Sequence, residues 1–236
     1  MKLFLGLFVL AAVLAAQVSA PRVGFARFTS GNVHAVNGLP ANLLVGDIPV
    51  AHADRVSFSD AGGLLSRAGE ISLVDIDARV IASFASGEAA PVLNMDGALT
   101  TAIAWLPSSH SILYWDGKGF VRIEANLRGE VTAVQIIEPE KARLFVRQAD
   151  ASVSTVVISL KTGLVLDSQL VPGVSGQAMP QHSFVVAVDS NTLIVESANG
   201  QRRVLPVTAR DLTMERMSSD WLHIFSPSSG EHCALH

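Results

Sequence analysis

The chain has 236 residues, 49% of them hydrophobic and 16% charged, with a formal net charge of −4 at pH 7. That length holds one large domain or two small ones with ample apolar material for a core, and the composition excludes a disordered chain. The mild acidity and the lack of a Lys/Arg stripe argue against a nucleic-acid partner; the adjacent basic pair Arg202-Arg203 reads as a solvated strand end.

The first element is an export signal. Met1-Lys2 gives a short positive start, Leu3 to Ala16 an apolar run broken by one Gly, and Val18-Ser19-Ala20 a set of small residues. This is the layout of a secretory signal peptide over residues 1–20. The apolar run of about 14 residues is short of the roughly 20 that span a bilayer. Pro21 directly after Ala20 disfavours cleavage there, so a cut after Ala15 or Ala16, or a retained anchor, are the alternatives. No Cys follows the run, which argues against a lipid anchor. The reading is a periplasmic or extracellular protein without stable membrane insertion after cleavage, with residues 21–236 as a single domain. Cys233 is the one cysteine, so no intramolecular disulfide forms; its strand-like surroundings predict burial.

After residue 21 the chain is a succession of short apolar runs separated by Gly, Asn, Asp, Ser and Pro. The runs are rich in Val, Ile, Phe and Trp and have the length of strands. Trp115-Asp116-Gly117-Lys118-Gly119, Lys161-Thr162-Gly163 and Asn199-Gly200 carry hairpin chemistry. An apolar strand opens each unit at 63–65, 102–105, 143–146, 184–187 and 221–224, about 40 residues apart. A second strand follows (71–76, 111–115, 155–160, 192–196), then a third (79–84, 120–124, 164–168, 201–207). A fourth closes the unit (91–95, 130–137, 175–179, 211–217). Such a unit cannot bury both faces alone; stacking units about an axis does so. A β-sandwich or irregular barrel is the competing architecture.

The spacing and hairpins resemble the WD40-like and NHL-like β-propeller repeat proteins of bacteria over most of residues 60–236. The resemblance lies in the period; Trp115-Asp116 is the single WD dipeptide. It implies an all-β propeller scaffold and names no partner. The expectation is five four-stranded blades, with N- and C-terminal strands completing one of them, or six if the N-terminal strands (23–28, 32–36, 43–48, 55–58) make most of a blade themselves.

The residues that invite chemistry read as structure. His232 and His236 with Glu231 and Cys233 would share a helix face, but in a strand the two imidazoles lie about 13 Å apart, too far for one metal ion. Ser175 lacks the Gly two residues later of a hydrolase elbow. Asp75-Ile76-Asp77 lacks the Gly and Glu of a calcium loop, and Asp116 to Gly119 is a hairpin and not a phosphate loop. Trp105, Trp115 and Trp221 are expected to pack between units. No catalytic, cofactor-binding or metal residue is therefore assigned, and no cofactor. The preferred function is a non-enzymatic scaffold binding a protein or peptide on its loop face. A hydrolase or lyase acting on sugars or lactones is the alternative; it requires carboxylates or histidines from several blades to converge on the axis. A divergent chain or fragment without activity of its own is the third reading.

Overall fold

The computed structural model describes residues 20–39, 42–181, 184–189, 192–197, 200–208 and 211–236; the proposed signal peptide falls almost wholly outside them. The described residues form six antiparallel sheets of three or four strands. Blade 1 is β1 (Arg22–Arg27), β2 (Val33–Leu39) and β3 (Asn42–Val45). Blade 2 is β4 (Arg55–Ser59), β5 (Gly62–Arg67), β6 (Glu70–Val74) and β7 (Val80–Ala85). Blade 3 is β8 (Val92–Asn94), β9 (Ile103–Leu106), β10 (Ser111–Trp115) and β11 (Phe120–Glu124). Blade 4 is β12 (Glu130–Glu138), β13 (Lys141–Arg147), β14 (Ser152–Ser159) and β15 (Val165–Ser175). Blade 5 is β16 (Gln177–Gln181), β17 (Phe184–Asp189), β18 (Thr192–Ser197) and β19 (Arg202–Pro206). Blade 6 is β20 (Thr213–Arg216), β21 (Leu222–Phe225) and β22 (His232–Leu235).

Within a blade each strand pairs with the next in sequence, and the turn residues explain why. Asp75 Oδ1 accepts hydrogen bonds from the backbone N–H groups of Asp77 and Arg79 at 2.8 and 2.9 Å. Asp116 Oδ1 does the same for Lys118 and Gly119, both at 2.8 Å, and Ser159 Oγ for Lys161 and Thr162. A short polar side chain thus caps the turn between third and fourth strands in three successive blades. These donors hold the carboxyls of Asp75 and Asp116 below the usual range, the N–H of Arg79 leading in one case and that of Gly119 in the other.

The blades stack through apolar layers. Leu64, Ile71 and Leu73 of blade 2 meet Leu93, Ala104 and Leu113 of blade 3. Trp105 and Ile112 meet Val134, Leu144 and Ile158 of blade 4. Phe145 and Val153 meet Val186 and Ile194 of blade 5, and the layer continues to Leu222 and Ile224 of blade 6. Trp105 and Trp221 are buried as expected, while Trp115 is half-buried against Phe120.

Three expectations change. The count is six blades and not five, the alternative expected if the N-terminal strands make a blade of their own, as β1–β3 do. The terminal strands do not share a blade: β1–β3 and β20–β22 are separate three-stranded sheets. The unit boundaries also shift by one strand, because the closing strands 91–95, 130–137, 175–179 and 211–217 overlap β8, β12, β16 and β20, the first strands of the next sheets.

Closure is made by blade 1 seated between blades 6 and 2. On one side Phe25 and Val33 pack on Val56, Phe58 and Leu65; on the other Ala26 and Val36 pack on Met217 and Trp221. Met95 N–H donates to Ser57 Oγ and Ser59 Oγ to the Gly97 carbonyl, so β4 and β8 run in the same direction. The backbone N–H of Val56 is near enough to the Glu215 carboxylate to favour its charged form, and Asp60 N–H donates to Ser219 Oγ, so β20 and β4 also run together. Blade 1 is reversed: Phe25 N–H donates to the Met217 carbonyl at 3.0 Å while Arg27 reaches back to Glu215. Residue numbers rise along β1 as they fall along β20. At this contact a Cβ on Gly24 would lie 2.1 Å from the Met217 carbonyl oxygen, so only glycine fits. Beside it, His223 Nε2 and His232 Nδ1 share a hydrogen bond of 2.9 Å, and the two rings are covered by Phe28 and Phe225.

Candidate binding site on the propeller axis

The first strands of blades 2–6 surround the axis, and their opening residues frame a cavity of about 340 Å³. It opens on the face that carries the crossovers between blades, such as residues 86–91 and 125–129. Its apolar wall includes Val56, Val92, Trp105, Val131, Met179 and Met214. Its polar lining comes from Arg55, His110, Glu130, Thr132, Gln177 and Glu215. A cavity with mostly apolar walls and a few placed polar groups is the usual form of a ligand site.

The two carboxylates are already occupied. Glu215, 4% exposed, receives Arg27 Nη2 at 2.7 Å and Arg27 Nε at 3.0 and 3.2 Å. Burial raises the Glu215 pKa, and the Arg27 guanidinium opposes that rise. Glu130 accepts from Arg147. Thr132 stitches the inner strands of blades 4 and 5, its hydroxyl donating to the Ala178 carbonyl at 3.1 Å.

The rim is held rigidly. His110 has a backbone φ of 47°, in the left-handed region that side chains other than glycine rarely adopt. Its loop, residues 107–110, is fixed by buried Glu88, whose carboxylate accepts from the N–H groups of Ser108 and Ser109 at 3.0 and 3.1 Å. Burial opposes ionisation of Glu88, but these donors outweigh it and leave its pKa lowered. The His110 ring stands edge-on to Trp105.

At the far end of the inner strands, buried Arg216 crosses the axis. Nε donates to Asn94 Oδ1 at 3.1 Å, Nη1 to Gln181 Oε1 at 2.8 Å and to the Ser219 carbonyl at 3.2 Å, and Nη2 to the Pro180 carbonyl at 2.7 Å. Burial lowers its pKa and Asp96 opposes the shift. One side chain of blade 6 therefore ties blades 3 and 5 together below the pocket.

The side chains weighed in the sequence do not gather here. His232 pairs with His223, whereas His236 lies against Trp221, and no cluster of three or more metal-ligating groups occurs among the described residues. Ser175 donates to Asp189 at 2.5 Å beside Gly176, whose φ of 82° makes the step between blades 4 and 5. Arg202 and Arg203 lie in an exposed outer strand. Cys233, expected to be buried, is exposed: β22 is the last strand of a three-stranded sheet, so no fourth strand covers it. No helix among the described residues is long and apolar enough to cross a membrane. Sequence reasoning missed Arg27, Arg55, Glu215 and Arg216. The one local signal was an acid and a base side by side within the apolar frame of Met214 and Met217.

Six radial antiparallel sheets about a common axis define a β-propeller. Solved structures of the same architecture agree. The chain is similar to hydrazine synthase from Kuenenia stuttgartiensis at 11% identity and a TM-score of 0.50, over 95% of this chain and 79% of that one. It is similar to a streptogramin B lyase at 10% identity and a TM-score of 0.50, over 92% and 79%. It is also similar to BamB from Moraxella catarrhalis at 16% identity and a TM-score of 0.44, over 92% and 75%. No protein-family model and no curated protein sequence matches the chain. The two likenesses at a TM-score of 0.50 support the propeller resemblance at the level of fold.

Proposed function

We propose that this chain is an exported, non-enzymatic propeller that binds a protein or peptide partner on its crossover face. The observation that carries this reading is the axial pocket: it opens on that face, is framed by blades 2–6, and has a rim fixed in advance by Glu88. The hydrolase or lyase alternative needs free, convergent acid–base groups, whereas Glu215 and Glu130 are each bound to an arginine. The signal-like N-terminus supports placement outside the cytoplasm. N-terminal sequencing of the extracytoplasmic fraction should then find a mature chain beginning between about residues 16 and 22; full-length protein confined to the cytosol would argue against export.

Site-specific photo-crosslinking tests the docking face in the native host. A photoreactive side chain at position 110 or 130 is expected to give one discrete adduct with another protein, and the same group at position 118, on the opposite face, none. Equal adducts from both faces, or none from either, would sink the proposal.

A further inference from the structure

One cation of the axial pocket has no direct partner. Glu215 is matched by Arg27 and Glu130 by Arg147. Arg55, half-buried in the pocket wall at the start of β4, has no side-chain hydrogen bond among the described residues. It faces Glu215 only through longer-range attraction. Arg55 is therefore a guanidinium without a direct hydrogen-bond partner in a wall that is otherwise largely apolar.

A second observation is independent of the first. Asn94 and Gln181, each 3% exposed, give their side-chain oxygens to Arg216 and leave the buried amide nitrogens Asn94 Nδ2 and Gln181 Nε2 without an acceptor. Turning either amide over would aim its N–H at the guanidinium, so the orphaned donors are not a matter of orientation. Alternation along β16 puts Gln181 on the same face as Gln177 and Met179, two residues beyond the pocket lining. Asp96, the acidic group facing Arg216, already accepts from Gln135 at 2.6 Å. Asn94 Nδ2 and Gln181 Nε2 thus leave unused donors at the foot of the axis, below the pocket, as Arg55 does at its mouth. His110 adds an imidazole at the rim, on a loop held in place before any ligand arrives.

Resting on the docking reading above, we propose that the pocket selects a carboxylate: an acidic side chain or a C-terminus of the partner, next to an apolar side chain, anchored by Arg55 and flanked by His110. The apolar neighbour packs on Trp105, Met179 and Met214, and the carboxylate supplies the acceptor that Arg55 lacks. An arginine fork suits this ligand because it can donate two parallel N–H bonds to one carboxylate.

Three short acetylated peptides test this against the mature protein, by calorimetry and by the Trp105 indole N–H resonance. One ends in a free leucine carboxylate, one is its amide, and one is amidated with an internal glutamate beside leucine. The free acid, the glutamate peptide or both are expected to bind and shift Trp105, the amide not. Arg55→Gln should weaken binding by roughly tenfold or more with an unchanged melting temperature, and Arg55→Lys should restore part of it. Which acidic peptide binds assigns the source of the carboxylate. If the amide binds as tightly as the acids, or Arg55→Gln binds like the parent, the carboxylate inference is overturned while docking stands. If no peptide binds but crosslinking from position 130 still captures a partner, the inference again fails alone. Loss of the crosslink removes the docking reading itself.

Discussion

Blades 2 and 3 meet through aliphatic side chains such as Leu64, Leu73, Leu93 and Leu113, whereas blades 6 and 1 add to a small apolar layer Arg27 on Glu215, Phe28 over the imidazole pair of blade 6 and a backbone contact at Gly24. Apolar layers tolerate many arrangements of similar volume. A buried ion pair tolerates few, because an unmatched partner is penalised heavily. Neighbouring blades are consecutive in sequence and need little instruction about where to stack. The two ends of the chain have to find one register among several, with blade 1 reversed, and the polar seam supplies it. Arg27 serves twice, since its guanidinium also lies 5.0 Å from the centre of the Phe225 ring.

The sharpest way to break the seam is to remove one side of it. Deleting residues 221–236 takes away β21 and β22, and with them the buried side chains Trp221, Leu222, Ile224 and Phe225. Each is worth about 1.5–3 kcal/mol when fully buried, a sum comparable with the stability of a typical domain. The expected product is an aggregating or molten chain by size-exclusion chromatography and thermal melting. A monomer that melts cooperatively at the parent temperature would contradict it.

Gly24→Ala should come next. The new methyl group has to displace the Met217 carbonyl or push β1 away from β20, with a cost of about 1–3 kcal/mol. Denaturant titration measures it; a midpoint equal to that of the parent would show that the strands are not in close contact.

Acid should open the same seam. Burial, then the charges of His232 and Arg27, push the His223 pKa down to about 3. The folded state therefore holds this imidazole neutral, while the unfolded chain takes up a proton near its ordinary value of about 6.5. Stability is fully present above that value and is lost as pH falls from about 6.5 toward 3. His223→Phe should flatten this part of the stability–pH curve, measured by urea unfolding at pH 7, 6 and 5. An unchanged slope would assign the acid sensitivity to other groups.

The smallest effect belongs to a regular blade. Arg79 pairs with Asp77 at 3.1 Å across an exposed turn, and exposed pairs contribute little. Arg79→Ala should leave the melting temperature unchanged within error, because Asp75 caps the turn through the backbone N–H of residue 79 and not through its side chain.

The period was legible because β5, β9, β13, β17 and β21 lie inside their sheets and carry continuous apolar runs such as Ala102 to Leu106. The phase was not. Inner strands mix core positions with polar ones that face the axis, as Thr132, Gln177 and Arg216 do, so they read as weak closing strands. The hairpin turns were plain from Asp116 and Gly117 because their hydrogen bonds are local. The pocket was not visible, because Arg27, Arg55 and Glu215 come together only after closure; the hydrogen bond from Arg27 to Glu215 spans 188 positions. Burial of Cys233 was misjudged for a related reason: nothing in a four-residue strand says whether another strand will cover it.

That span sets a clock on synthesis. β1 emerges well before its backbone and ion-pair partners, Met217 and Glu215. At about 5–20 residues per second, the intervening 188 positions take on the order of 10–40 s. During that interval blades 2 to 5 can stack on one another as they emerge, while blade 1 packs against blade 2 with its other face uncovered. The ring therefore stays an open, linear array until blade 6 has emerged, and a chain that stalls before residue 213 exposes Ala26, Val36 and the face meant for Trp221 to whatever it meets.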